Sequence, residues 1–359
     1  MFNIKDPAII LVMYLDVVLL ILTLLLLALV VIFRLRLDNQ ERGRERFMQV
    51  WQPVMDQSMY GLAQLVPRHS AIRIKPADTM NFLLLWNRLQ EVLRGEVREN
   101  LNAIAHSAKI DAAVLKMLHK GNLSKRLLAI NTVGHLRELS AWETLVDIVQ
   151  ENQNPILALT AARALARMDG EKATAVFVPL LVLHKEWPAS HVVGILKELN
   201  LESFSRCLAD AILRAVETDV PRLVRYLRFA SGETALAVVH DVLHKYNNAE
   251  VLSACLYVIG EFGDRHNLGD VRNFAKHHSW VVRLQVAHVL GKIGTRDDIK
   301  ILLELLTDRE WWVRYRAANA LSSLPFVTIA EIEQFRLVQS DTYASDALTQ
   351  ILVEKRLLV

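Results

Sequence analysis

The chain has 359 residues, 52% of them hydrophobic, and a formal net charge of +3; its mean hydropathy of +0.22 is high for a soluble protein. So balanced a charge gives no argument for a nucleic-acid partner. The two cysteines, Cys207 and Cys255, have no paired spacing, which excludes a disulfide framework or a cysteine zinc site and suits a reducing compartment.

From Pro7 to Phe33 the only ionisable side chains are Tyr14 and Asp16. A bilayer core of about 30 Å takes about 20 apolar residues in a helix, so the run predicts one transmembrane helix over 7–33 with an uninterrupted part from Val17. A cleaved signal peptide is the competing reading, but the apolar core is too long, the leader holds only Lys5, and "LALVVIFRLR" offers no small-residue cleavage site. Arg34, Arg36, Arg42, Arg44 and Arg46 follow the run, whereas Lys5 alone precedes it. That asymmetry predicts a cytoplasmic C-terminal side, with residues 1–6 across the membrane; in a bacterium this describes a single-pass inner-membrane protein. Asp16 disturbs the run. A carboxylate inside a bilayer is by default a functional position, here a contact to a basic or polar group on another protein's transmembrane helix. If the span begins at Val17, Asp16 stands instead at the far interface beside Tyr14.

Residues 34–95 read as a helical connector. "NQERGRERFMQVWQPVMDQSMYGLAQLV" predicts a helix with Phe47, Val50, Trp51 and Val54 on one side and a kink at Pro53. After Pro76 a second helix follows, capped by Asp78 or Thr79, with Phe82, Leu85, Trp86, Leu89 and Val92 inward. These helices are expected to pack on the first repeat rather than lie on the membrane surface.

Beyond the connector a pattern repeats. "SWVVRLQVAHVLGKIG" and "REWWVRYRAANALSSL" both carry Arg, then small or apolar residues three, four, six and seven positions on. The same pattern is anchored at positions 126, 158, 189, 220, 252, 283 and 314, a nearly constant interval. The constancy of the period is stronger evidence than any one copy. Each period holds two helices, the first ending near Gly294 in the copy at 283 and the second starting near Asp297. One pair cannot bury both of its faces, so neighbours must stack.

With "EVLSACLYVIGEFGD" and "NPILALTAARALARMDG", these stretches resemble HEAT repeats of the short bacterial, phycobilin-lyase-like type, over about 120–325. The resemblance implies an all-α chain: an α-solenoid (a HEAT/armadillo-like superhelix) over 96–359, with degenerate ends at 96–120 and 340–359, preceded by one transmembrane helix. In that family the anchor Arg commonly packs against or pairs with an Asp of the neighbouring repeat. Here Ala158, Ala189, Val220 and Leu252 replace it, and a less regular middle is expected. Arg283, Arg314 and Asp308 read most simply as a structural ladder.

No phosphate loop, nucleophile elbow or metalloprotease helix is present, and the His-Glu dipeptides that ligate iron in one HEAT-type hydroxylase family are absent. His240 and His244, four apart in "HDVLH", have a spacing that can ligate a metal; with nothing nearby in sequence to complete the site, a solvated helix face is the ordinary reading. His277 and His278 fall in an inter-repeat turn and are expected to be exposed. Neither cysteine has a paired His. No enzyme activity, cofactor, metal or small-molecule substrate is expected.

Two features are candidates for partner binding. Trp280, Trp311 and Trp312 stand near successive helix starts, as hot-spot residues or as fillers of the seams between repeats. Arg222, Arg225 and Arg228, three apart in "VPRLVRYLRFA", predict one basic face that Arg214 could extend; the ordinary reading is a solvated face, the sharper one an acidic partner or anionic head group. The expected function is a membrane-tethered protein-interaction scaffold that assembles or regulates a multiprotein inner-membrane complex, such as one for cell-envelope polysaccharide synthesis or secretion. The alternative is a bilin-lyase-like or other modifying enzyme, which requires a titratable cluster in a pocket of the concave face. A nucleic-acid binder would require a continuous basic stripe.

Overall fold

A computed structural model describes the backbone of residues 7–59, 74, 78–151 and 154–355, and the same residues' side chains except 7–17, 36–40, 42–44, 46 and 54–59. Residues 1–6 and Pro76 lie outside the described residues, as do the side chains of Asp16 and Val54. No strand occurs among the described residues. Two compact units divide between Ala141 and Trp142.

The first unit holds α1 (Pro7–Met59), α2 (Thr79–Val92), α3 (Glu96–Ser107), α4 (Asp111–Lys120) and α5 (Leu123–Leu136). α1 runs 53 residues without a break, and Pro53 sits inside it without ending it. Its window Val18–Leu35 has a mean hydropathy of 3.1 and none of it is buried. Further on, Phe47 and Trp51 are buried, their rings 5.9 Å apart, and Trp51 meets Phe82 of α2 edge-on at 5.1 Å. The far end of the apolar helix is thus packed on α2. The inward stripe is narrower than expected on α1, where Val50 is exposed, and rotated on α2, where Leu83 is buried and Val92 is 73% exposed. The reason is polar: Asn87 and Gln90 are buried on α2, with Asn87 donating to Thr132 Oγ1 of α5 at 2.8 Å and Gln90 bonding Asn102 of α3 at 2.7 Å. Trp86 donates through its indole to the Leu101 carbonyl at 2.9 Å.

The second unit alternates helices in two layers. In chain order these are α6 (Trp142–Glu151), α7 (Pro155–Met168), α8 (Gly170–Leu183), α9 (Ala189–Leu196), α10 (Leu201–Arg214), α11 (Val220–Tyr226) and α12 (Gly232–Lys245). There follow α13 (Ala249–Phe262), α14 (Leu268–Asn273), α15 (Trp280–Ile293), α16 (Ile299–Leu306), α17 (Trp311–Ser323), α18 (Ile329–Val338) and α19 (Thr342–Glu354). Odd-numbered helices from α7 to α17 carry the sequence anchors; α9 stacks on α7, and α11, α13, α15 and α17 stack in series, as do α8, α10 and α12 in the other layer. This is the two-layer stacking of an α-solenoid.

The full-length anchored helices begin three residues before their anchor, with the capping position four before it. Asn122, Asn154 and Asn248 occupy that position and accept backbone N–H groups of the first turn at 2.9–3.3 Å. α15 and α17 have Ser279 and Glu310 there, without a side-chain cap; their anchors, Arg283 and Arg314, instead tie down the preceding turn through its carbonyls. In the two middle copies the equivalent residues are Lys185 and Val216, neither able to cap, and no anchor Arg is present. There the helices start at the anchor itself and are short, α9 with 8 residues and α11 with 7. Irregularity therefore needs the loss of cap and Arg together, because α7 and α13, anchored on Ala158 and Leu252 but capped by Asn, run a full 14 residues.

Close approach between rungs depends on small residues. A Cβ at Gly291 would stand 2.8 Å from Ala320 Cα and 2.7 Å from its Cβ. Gly294 stops α15 as expected, its N–H bonded to Leu290 O. Asp297, however, does not cap the next helix: Thr295 and Asp298 form a capping box there, and Asp298, fully buried, accepts from Arg272 at 2.7 and 3.1 Å. Arg283 pairs with Asp308 through two bonds of 2.6 and 2.8 Å and also donates to the carbonyls of His277 and His278. Arg314 repeats the second half of this arrangement one period on, donating to the carbonyls of Asp308 and Arg309. Arg126 Nε at the first anchor, like Arg314 Nε, is buried without an acceptor among the described residues.

Burial would raise the Asp308 carboxyl, but the Arg283 hydrogen bonds, the Glu310 amide and nearby cations outweigh it and hold the group below its ordinary value. A depressed folded-state pKa contributes stability that is complete above the unfolded value and lost as pH falls through the folded one. Asp308→Asn is therefore expected to destabilise the protein by about 3 kcal/mol at pH 7. That difference should shrink below about pH 4, measured by urea unfolding across pH. Gly291→Ala is expected to cost about 1–3 kcal/mol by overpacking, read in the same assay at pH 7.

Candidate partner-binding surfaces

The three arginines of "VPRLVRYLRFA" do not share a face. α11 ends at Tyr226, and residues Leu227–Phe229 wind as a tighter 3-10 turn, but the residue that departs is Arg222, within α11 itself. Arg222 turns to the other layer and donates to the carbonyls of Leu181 and Val182 at 2.9 and 3.1 Å. These are acceptors in the last turn of α8, which Arg222 caps. Arg214, in the last turn of α10, does not join the other two.

Arg225 and Arg228 do converge. They line a recess of about 380 Å³ along the odd-numbered layer, together with Val193, Tyr226, Phe229, Ser253, Tyr257 and Gln285. Among the described residues the Arg225 guanidinium has only a 3.4 Å bond to its own helix's Pro221 carbonyl. Arg228 donates to the Tyr257 hydroxyl at 2.5 Å, lies over the Phe229 ring at 4.9 Å, and stands 4.0 Å from Glu261. Gln285 Oε1 is buried with no donor among the described residues. The recess thus offers two cations, three aromatic rings and an amide oxygen without a donor among the described residues.

A smaller recess of about 200 Å³ continues along the layer, lined by His288, Gly291, Lys292, Arg316, Asn319 and Ser323 among others. Burial, and then the charges of Lys292 and Arg316, push the His288 imidazole down, so it is neutral at pH 7. The Lys292 hydrogen bond, 2.6 Å long, holds the Glu261 carboxyl below its ordinary value. Glu261 thus sits, ionised, between Arg228 and Lys292, and the basic surface is interrupted.

The tryptophans form a second surface. Trp280, Trp311 and Trp312 are 38%, 41% and 56% exposed at the starts of α15 and α17. Trp311 packs edge-on against Trp312 at 4.5 Å and stacks on Tyr315 at 5.3 Å. His277 is half-buried rather than exposed, because its Nδ1 accepts the Ser279 N–H at the start of α15. Cys255 is buried, and that burial pushes its thiol up to about 12, which removes it as a nucleophile at neutral pH. No local spacing separates Arg222 from its neighbours, because the carbonyls it reaches lie 41 and 40 positions away in the sequence.

Residues 236–322 match a family model described as HEAT repeats. This stretch spans most of α12 through most of α17. An engineered protein solved by a structural genomics consortium is 14% identical, with a TM-score of 0.35, over 83% of this chain and 99% of that one. Human deoxyhypusine hydroxylase in complex with glycerol is 18% identical, with a TM-score of 0.29, over 77% and 98%. No curated protein matches.

Arg222→Ala is expected to lower unfolding stability by about 1–2 kcal/mol by stranding two carbonyls. The double change Arg225→Ala/Arg228→Ala should stay within about 0.5 kcal/mol of the parent. Urea unfolding of the detergent-solubilised chain distinguishes them.

Proposed function

We propose that this protein is a single-pass membrane protein whose repeat unit docks an acidic segment of a protein partner within a membrane complex, and that it is not an enzyme. The observation that carries the reading is α1: an apolar helix with no part of its Val18–Leu35 window buried, continuous with a stretch whose Phe47 and Trp51 are packed into the first unit. Exposure of such a window to water is unfavourable by about 25 cal/mol per Å² of apolar surface, and a bilayer removes it. The arginines following the apolar run favour a cytoplasmic repeat unit with the N-terminus outside, in a bacterial inner membrane.

The recess of the repeat unit supports docking over catalysis. It presents arginine, aromatic and amide groups and no acid–base pair, and the buried Cys255 is inert. Glu261 between Arg228 and Lys292 breaks the basic surface, which disfavours a continuous phosphate backbone and leaves Arg225 and Arg228 to meet a short acidic segment. A cell-envelope synthase or a secretion machine is a partner of the required kind, held in the same membrane.

The test is cross-linking capture of the tagged full-length chain from native membranes, beside Arg225→Glu/Arg228→Glu. A stoichiometric membrane protein recovered with the parent and lost by at least tenfold in the variant is expected. Equal recovery with both chains, or no membrane protein with either, would contradict the reading.

A further inference from the structure

His240 and His244 lie four apart on α12, in the second layer and away from the arginine recess. The fold brings a third group that sequence spacing does not reveal. Asp270 of α14, on the far side of α13 in the chain, places a carboxylate oxygen within 4.8 Å of a ring nitrogen of each histidine. The two Nε2 atoms stand 3.2 Å apart, with ring centroids at 4.5 Å and planes at 68°. Two imidazoles bound at about 2.0–2.1 Å to one tetrahedral ion have their nitrogens about 3.3 Å apart. The histidine pair is therefore already spaced as two corners of such a site.

We infer that His240, His244 and Asp270 form a site for one divalent transition-metal ion of the zinc class. Two imidazoles select for this class over magnesium or calcium, which take oxygen ligands. Both histidines are exposed and Asp270 is half-buried, so the ion can enter from solvent. The Asp241 carboxylate, 3.9 Å from His240 Nδ1, adds negative charge beside the site but is too distant for a hydrogen bond. Three protein ligands leave one tetrahedral corner for water or for a side chain of another protein. Because α12 and α14 belong to successive repeats, the bound ion links one rung to the next. Nothing in this inference depends on partner docking at the arginine recess.

The competing account of the close approach between the two Nε2 atoms is a hydrogen bond between two neutral rings, which needs no ion. The experiment is calorimetric titration of the full-length chain in detergent, carried on a tag free of histidine, with Zn²⁺ and with Mg²⁺ as control. Cobalt(II) absorption serves as a second readout. His240→Ala, His244→Ala and Asp270→Asn are compared with the parent. One saturable equivalent of Zn²⁺ is expected in the parent, with an intense tetrahedral cobalt spectrum and no response to Mg²⁺. Either histidine change should abolish that equivalent. Outer-shell contacts at metal sites are worth about 10–100-fold in affinity, so loss of the Asp270 ligand should weaken binding at least tenfold. The unfolding midpoint of the ion-free variants should match the parent's, while added Zn²⁺ raises it only in the parent. Unchanged zinc stoichiometry in the histidine variants would assign any binding to the chain's other histidines and overturn the site. Unchanged affinity in Asp270→Asn would overturn the three-ligand assignment.

Discussion

Each helical pair of the repeat unit carries more apolar surface than its own partner helix can cover, and stacking on the next pair removes the remainder from water. α13 shows the constraint most clearly. Val251, Leu252, Ala254, Cys255, Leu256, Val258 and Ile259 are all buried, along with Ser253 and Gly260, so the helix is enclosed around nearly its whole circumference. Such a helix cannot stand at the surface of a two-helix module. Polar links are secondary to this packing. The Arg283–Asp308 pair fixes the register of one rung on the next, and the carbonyl bonds of Arg283 and Arg314 tie down the intervening turns.

The repeat period was visible because the small residues that let helices approach recur in sequence: Ala161 and Ala162, Ala287, Ala317 and Ala318. The ends of the helices were less legible. A full-length helix needs either an Asn four positions before the anchor or an Arg at the anchor, and the two middle copies have neither; attention to the Arg alone left α7 and α13 unexplained. The arginine cluster was illegible for a different reason: Arg222 is drawn away by the Leu181 and Val182 carbonyls of the other layer, contacts that its spacing does not encode. Asp270 was out of reach altogether. It is joined to His240 and His244 by the stacking of repeats, and no local pattern encodes that proximity.

The division of labour among arginines follows from what each can reach. Those that find carbonyls or a buried carboxylate, Arg222, Arg272, Arg283 and Arg314, hold the framework. Arg225 and Arg228 face the recess, where Arg225 is only lightly engaged and Arg228 bonds the Tyr257 hydroxyl of the recess wall. In the proposed membrane setting this matters because a tether raises the effective concentration of clients in the same bilayer. A shallow recess with two cations can then select a partner without high intrinsic affinity.

The central claim is that α1 crosses a membrane and leaves the repeat unit on the side of the arginines. Protease accessibility tests it most directly, on the full-length chain in intact spheroplasts and in inside-out vesicles from the same cells. The account predicts that the repeat unit is protected in spheroplasts and cleaved in inside-out vesicles, with the fragment bearing Val18–Leu35 remaining in the membrane. Cleavage of the repeat unit from the spheroplast exterior, or its recovery as a soluble species in either preparation before protease is added, would contradict it.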